Sequence, residues 1–144
     1  MVADDLYTEI MDRRLAHIQV SITSTDDRLA RRLERAPAPS LRIKAVEKLS
    51  RLGFDVSVRL SPLIPEYTDF ERLAGVECDK ILVEFLRVNG HIAAKFPLLD
   101  TSPYTLFQSG YRHLPLEYKI GLVERIRGFS QISVCEDVSE HYNY

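Results

Sequence analysis

Two stretches of this chain alternate strictly between apolar and polar residues. In residues 17–23, Ile18, Val20 and Ile22 interleave with His17, Gln19, Ser21 and Thr23. In residues 54–61, Phe54, Val56, Val58 and Leu60 interleave with Asp55, Ser57, Arg59 and Ser61. A period of two sends the members of each set to opposite faces of a strand. Residues 80–88 and 131–137 read as two more strands, with Glu84 between Leu82 and Leu86, and with Ser133 and Asp137 on either side of Cys135.

Between the strands the spacing turns helical. Residues 4–15 carry Leu6, Ile10 and Leu15 near helical spacing, which predicts a short amphipathic helix. After the first strand, Ser24 or Thr25 is placed to cap a helix, with Asp26 and Asp27 in a first turn whose dipole favours acids. Leu29 and Leu33 give that helix its buried stripe, and Pro37 and Pro39 end it. A helix over 41–52, capped by Ser40, buries Leu41, Ala45, Leu49 and Leu52 beside Val46, and Gly53 follows at C′. Pro62 and Pro65 stop the second strand, and a short helix over 69–74 comes next. Asn89-Gly90 is a turn signal, and 91–110 fits either a short strand or a loop. A helix over 115–127 has Pro115 in its first turn, Leu116, Ile120, Val123 and Ile126 inside, and Gly128 near its end.

Strands separated by helices predict right-handed crossovers and a parallel sheet. A parallel sheet covered on both faces reads as continuous apolar runs, and these strands do not. Two arrangements produce such alternation. One is an antiparallel sheet with a single wet face; the other is a parallel β/α half-barrel, a partial TIM-type barrel, with its polar face lining a lumen. The helical intervals are too long for hairpins and favour the second. Chemistry in such folds sits at the C-terminal ends of strands, here Thr23-Ser24, Ser61-Pro62, Arg87 and Glu136-Asp137. An enclosed Arg59 needs an anionic ligand or an acid such as Asp55 or Glu84.

Length and composition narrow the picture. The 144 residues read as one α/β domain over 1–144. A net charge of -2 gives no general affinity for phosphate backbones or anionic membranes, and the apolar runs are too short to cross a bilayer. Asp4, Asp5, Glu9 and Asp12 do not suit a secretory or mitochondrial leader. Cys78 and Cys135 read as reduced thiols of a cytoplasmic protein.

Common chemical motifs are missing. No glycine pattern cradles a phosphate, and His17, His91, His113 and His141 are scattered without metal-ligand spacing. Cys135 has no indicated histidine partner. Arg13-Arg14 and Arg31-Arg32 stand among acids on helix faces. Tyr104, Tyr111, Tyr118, Tyr142 and Tyr144 lack the basic background of a base-stacking surface. An acid–base site built from Glu84, Arg59 and Asp137 has no motif behind it.

An ordered set of small features runs from Ile18 to Asp69: the VSI segment at Val20-Ser21-Ile22, Leu33-Glu34, Ala38-Pro39-Ser40, Arg42, Gly53 and the proline turn Pro62-Leu63-Ile64-Pro65. In this order they resemble the middle of radical S-adenosylmethionine proteins of the spore photoproduct lyase type. The resemblance implies the C-terminal part of that barrel, with S-adenosylmethionine as cofactor. Ser21 and Thr23 would meet its ribose, Glu34 and Arg42 would lie near it or hold its loop, and Arg59 and Ser61 would face cofactor or substrate. Nucleic acid as a partner follows from the family analogy alone.

The chain departs from the family at the metal. The family's CxxxCxxC, whose thiolates hold a 4Fe–4S cluster, has no counterpart here, and neither does the glycine-rich segment for the methionyl amine. The expectation is a partial domain that supplies the ribose side and substrate wall. It would be incompetent alone and would be covered at its open sheet edge by a partner chain or by self-association. A non-catalytic interaction module derived from such a domain is the alternative.

Overall fold

A computed structural model describes residues 4–136. In chain order its elements are α1 (Asp5–Ile10), β1 (His17–Ile22), α2 (Asp27–Leu33), α3 (Pro39–Arg51), β2 (Asp55–Leu63), a 3-10 turn (Pro65–Tyr67), α4 (Phe70–Ala74), β3 (Lys80–Phe85), α5 (Gly90–Lys95), β4 (Leu106–Gln108), β5 (Tyr111–His113), α6 (Leu116–Glu124) and β6 (Gln131–Cys135). Residues 137–144, with Asp137, His141, Tyr142 and Tyr144, lie outside the described part.

β1, β2, β3 and β6 form one sheet in exactly that spatial order, and every pairing is parallel. The antiparallel alternative is therefore excluded. A sheet whose strands advance in chain order, joined by right-handed crossovers, collects its crossover helices on one side. The register agrees: Ile18, Val20 and Ile22 align with Val56, Val58 and Leu60, and two of these with Ile81 and Val83. This side packs on Ile43, Val46 and Leu49 of α3, Leu73 of α4, and Leu122 and Ile126 in and after α6, as one core.

Several local expectations shift. Asp26, not Ser24 or Thr25, caps α2, accepting from the Arg28 and Leu29 amides at 2.7 and 3.0 Å. Pro39 opens α3 with no side-chain cap, because the Ser40 hydroxyl is donated to Asp27 Oδ2 at 2.6 Å instead. The buried stripe of α3 runs through Ile43, Val46 and Leu49, which turns Leu41 outward. Asn89 is a helix cap rather than a hairpin turn: its side chain accepts from the Ile92 amide at 2.8 Å, and α5 starts at Gly90. Residues 91–110 hold α5 and then the first strand of the antiparallel β4–β5 hairpin. Ser109 and Gly110, at φ 51° and 83°, turn that hairpin. The third strand ends at Phe85, three residues short of the sequence boundary. α6 leaves Leu116 and Ile120 exposed and buries Leu122, and Ile126 just after it is buried as well.

Gly128 fixes the approach of the α6–β6 connection to α4. At φ +86° it is left-handed, and a Cβ there would lie 2.3 Å from the Ala74 carbonyl oxygen. Gly53 is also left-handed, at φ +80°, but a Cβ there meets nothing within 4 Å. Gly128→Ala is therefore expected to cost at least about 2 kcal/mol, against roughly 1 kcal/mol for Gly53→Ala. Urea denaturation of the two variants reads the difference; equal losses would show that the contact with Ala74 does not constrain the chain.

Candidate functional site

The second face of the sheet carries the polar residues in aligned rows. His17 stands beside Asp55; Gln19 beside Ser57, Lys80 and Gln131; Ser21 beside Arg59, Leu82 and Ser133; and Glu84 beside Cys135. Two ion clusters organise it. Near the strands' N-terminal ends, Asp55 accepts from Lys80 Nζ at 2.7 Å and lies 2.8 Å from His17 Nδ1. Nearer the C-terminal ends, Glu84 takes two bonds from Arg59, at 2.8 and 3.3 Å, and one from the Ser61 hydroxyl. The Glu84 side chain is only 16% exposed, so the Arg59 guanidinium answers a charge that is largely out of water. Between the clusters the Ser57 hydroxyl is buried without a hydrogen-bond partner.

At the C-terminal ends of the strands this face opens into two concavities that share Pro62. The larger, about 810 Å³, lies over β1 and β2. Thr23, Glu34, Leu29, Leu33 and Arg32 form one side of it, and residues 94–98 form the other. Tyr67 ties these sides together. Its carbonyl accepts from the Thr25 amide at 3.1 Å and the Ser24 hydroxyl at 2.8 Å. Its phenol oxygen accepts from the Leu98 amide at 3.2 Å, and its ring meets Phe96 edge-on at 5.6 Å. The smaller concavity, about 380 Å³, lies over β2, β3 and β6. Ser61, Glu84, Cys135, Arg87, His113, Lys119 and Glu136 supply its polar lining. Lys119 pairs with Glu136 at 2.6 Å and sits 5.5 Å from the centre of the Phe85 ring.

The six residues singled out from the sequence fall into four places. Thr23 and Glu34 line the larger concavity, and the Thr23 hydroxyl also donates to the Ser61 carbonyl at 3.3 Å. Ser61 lines the smaller one, above Arg59. Arg42 lines neither concavity. It donates to the carbonyls of Pro37 and Ser21 at 2.8 and 2.7 Å and pairs with Glu34, which fixes the α2–α3 loop to the end of β1. Ser21 itself projects from the polar face, exposed. Of the acid–base grouping, Arg59 and Glu84 come together and are bonded to each other, and Asp137 lies outside the described residues. Lys119, His113 and the 94–98 wall carry no sequence signal, since only the packing of α5, the hairpin and α6 brings them to the strand ends.

The cysteines do not converge on an iron. Cys78 is buried at the start of β3, its thiol donating to the carbonyls of Val56 and Lys80 at 3.4 Å, and burial pushes that thiol up. Cys135 aligns with Glu84 near the other end of β3. The length of that strand, about 15 Å, separates them. Among the described residues no group of three His, Cys, Asp or Glu side chains is gathered as a metal site. No helix there is long and apolar enough to cross a membrane.

Comparison with family models, curated proteins and solved structures finds no match to this chain. The class defined by fold and site is therefore an α/β protein with a four-stranded parallel sheet, one face covered by helices and the other polar.

Lys80, and then His17, hold the Asp55 carboxyl below its ordinary value of 3.8. A carboxyl depressed by folding stabilises the fold at pH above that value, and the contribution disappears as pH falls through the lowered one. Asp55→Asn is expected to flatten part of the acid limb in a plot of urea midpoint against pH. An unchanged acid limb would mean that the Asp55 cluster does not contribute.

Proposed function

We propose that the chain is a half-barrel of the radical S-adenosylmethionine type that binds the cofactor at the C-terminal rim of its sheet and forms part of the substrate wall. The observation that carries this reading is the coincidence of two independent lines at one rim. Of the six residues to which the ordered motif from Ile18 to Asp69 points, Thr23, Glu34 and Ser61 line the two concavities that meet at Pro62, and Arg42 holds Glu34. The sequential order of parallel strands, with a polar face opposite the helices, is what half of a β/α barrel requires.

The larger concavity suits the chemistry of S-adenosylmethionine. Its volume lies in the range of small-molecule sites. Leu29, Leu33 and Phe96 offer apolar surface to an adenine ring, Arg32 and Lys95 offer charge to the methionyl carboxylate, and Thr23 and Glu34 offer hydroxyl and carboxylate to polar groups. Arg42 acts as a positioning residue by holding Glu34. The iron–sulfur cluster does not fit: two thiols set a strand's length apart cannot hold it. In this reading the isolated chain binds the cofactor without cleaving it, and a cluster would come from a separate half.

Titration calorimetry of the 144-residue chain with S-adenosylmethionine tests this. Saturable binding is expected, weakened roughly tenfold by Thr23→Val or Phe96→Ala. Arg112→Ala, on the hairpin, should leave it unchanged. If the wild-type chain gives no saturable heat, the cofactor reading is wrong.

A further inference from the structure

The polar face of the sheet holds one row whose hydrogen bonding its own contacts do not complete. Parallel register sets Gln19, Ser57, Lys80 and Gln131 side by side on β1, β2, β3 and β6, toward the N-terminal ends of the strands. Neighbours in such a row stand about 4.8 Å apart and project to one face. Ser57 is only 5% exposed, and its hydroxyl has no hydrogen-bond partner. A buried hydroxyl left unpaired is costly, so an occupant that pairs with it is favoured. No hydrogen bond to another described residue occupies the side chains of Gln19, Gln131 or Ser133. These groups line a cavity of about 50 Å³, with Leu82 beside them. That is several times the space one water needs, yet far below the volume of a drug-sized site.

The lining selects by chemistry as well as by size. Lys80 brings a positive charge, and Asp55 already answers it at 2.7 Å. His17, also on the lining, holds Nδ1 2.8 Å from the same carboxylate. Asp55 itself does not line the cavity, and neither does any other acid among the described residues. A cation would find no carboxylate there, and an anion would find both basic neighbours engaged. What remains is two primary amides and two hydroxyls, and each of these groups both donates and accepts. Their complement is an uncharged group that does both, and a hydroxyl is the smallest. Leu82 offers apolar surface to a short carbon chain between such hydroxyls.

We propose that this cavity binds a small uncharged polyol. One of its hydroxyls pairs with Ser57 and Gln19, which stand on adjacent strands, and another reaches Gln131 or Ser133 on β6, with Leu82 of β3 between. The site lies toward the strands' N-terminal ends, away from the rim that would hold S-adenosylmethionine, and does not depend on that cofactor.

Heteronuclear NMR of the 144-residue chain titrated with glycerol tests it. The side-chain amide signals of Gln19 and Gln131 are expected to shift together and to saturate, with a Kd on the order of 1 mM for a ligand of so few atoms. Ser57→Ala should raise that Kd about fivefold or more while leaving the backbone spectrum beyond β2 unchanged, since it removes a hydroxyl that has no partner. Gln19→Leu should weaken binding in the same way. Propan-1-ol, with the same carbon chain and one hydroxyl, should bind far more weakly. Shifts that spread over the surface and never saturate would leave the Ser57 hydroxyl to water alone and overturn the proposal. So would binding unchanged by Ser57→Ala, or propan-1-ol binding as tightly as glycerol. Acetamide saturating these signals where glycerol does not would assign the cavity to an amide, which overturns it as well. Cofactor binding is read by calorimetry at the rim, so the two readings fail separately.

Discussion

The order of the strands constrains everything else in this molecule. Because β1, β2, β3 and β6 advance across the sheet in chain order, the direction of advance never reverses. A doubly wound sheet reverses at a switch point and so lays helices on both faces. Without that reversal the helices gather on one face, and the other must either meet water or be enclosed by further strands. Strict alternation in the sequence is the consequence: Val56, Val58 and Leu60 are buried beneath helices, while Asp55, Arg59 and Ser61 stand on the uncovered side.

An uncovered parallel face has to manage its charges, and this one does so along its own surface. The Asp55 carboxylate is shared between a neighbour on each flanking strand, His17 and Lys80. Glu84 is reached diagonally by Arg59 and directly by Ser61. Both clusters cross between strands, so they fix register as well as charge. They answer the charges of Asp55 and Glu84 within the sheet itself, while further charged and polar side chains, Arg32, Lys95, His113 and Lys119, are brought to the rim by helices and loops.

The sheet was legible because a period of two is a direct signature of which side each residue faces, and it gave both alternating strands within two residues at either end. Helices were read less well where two physical roles compete for one residue. Asn89 followed by glycine suits a hairpin turn and a helix cap equally, and the cap won because α5 begins there. Leu116 and Ile120 have helical spacing, but spacing cannot say whether a partner surface exists on that side, and among the described residues none covers them. The candidate site divides along the same line. Thr23 and Ser61 could be found because they end patterned strands, whereas the Tyr67–Phe96 wall and Lys119 arise from contacts distant in sequence.

Glu84 shows how far the chemistry of this face can go. A general acid or base needs a free site on its carboxylate for the moving proton, in reach of a bound molecule. Glu84 borders the smaller concavity, and its oxygens are engaged by Arg59 and Ser61 in bonds that fix the position of the carboxyl group. A carboxyl group so fixed at a strand end is suited to orienting a donor group such as a hydroxyl or amine.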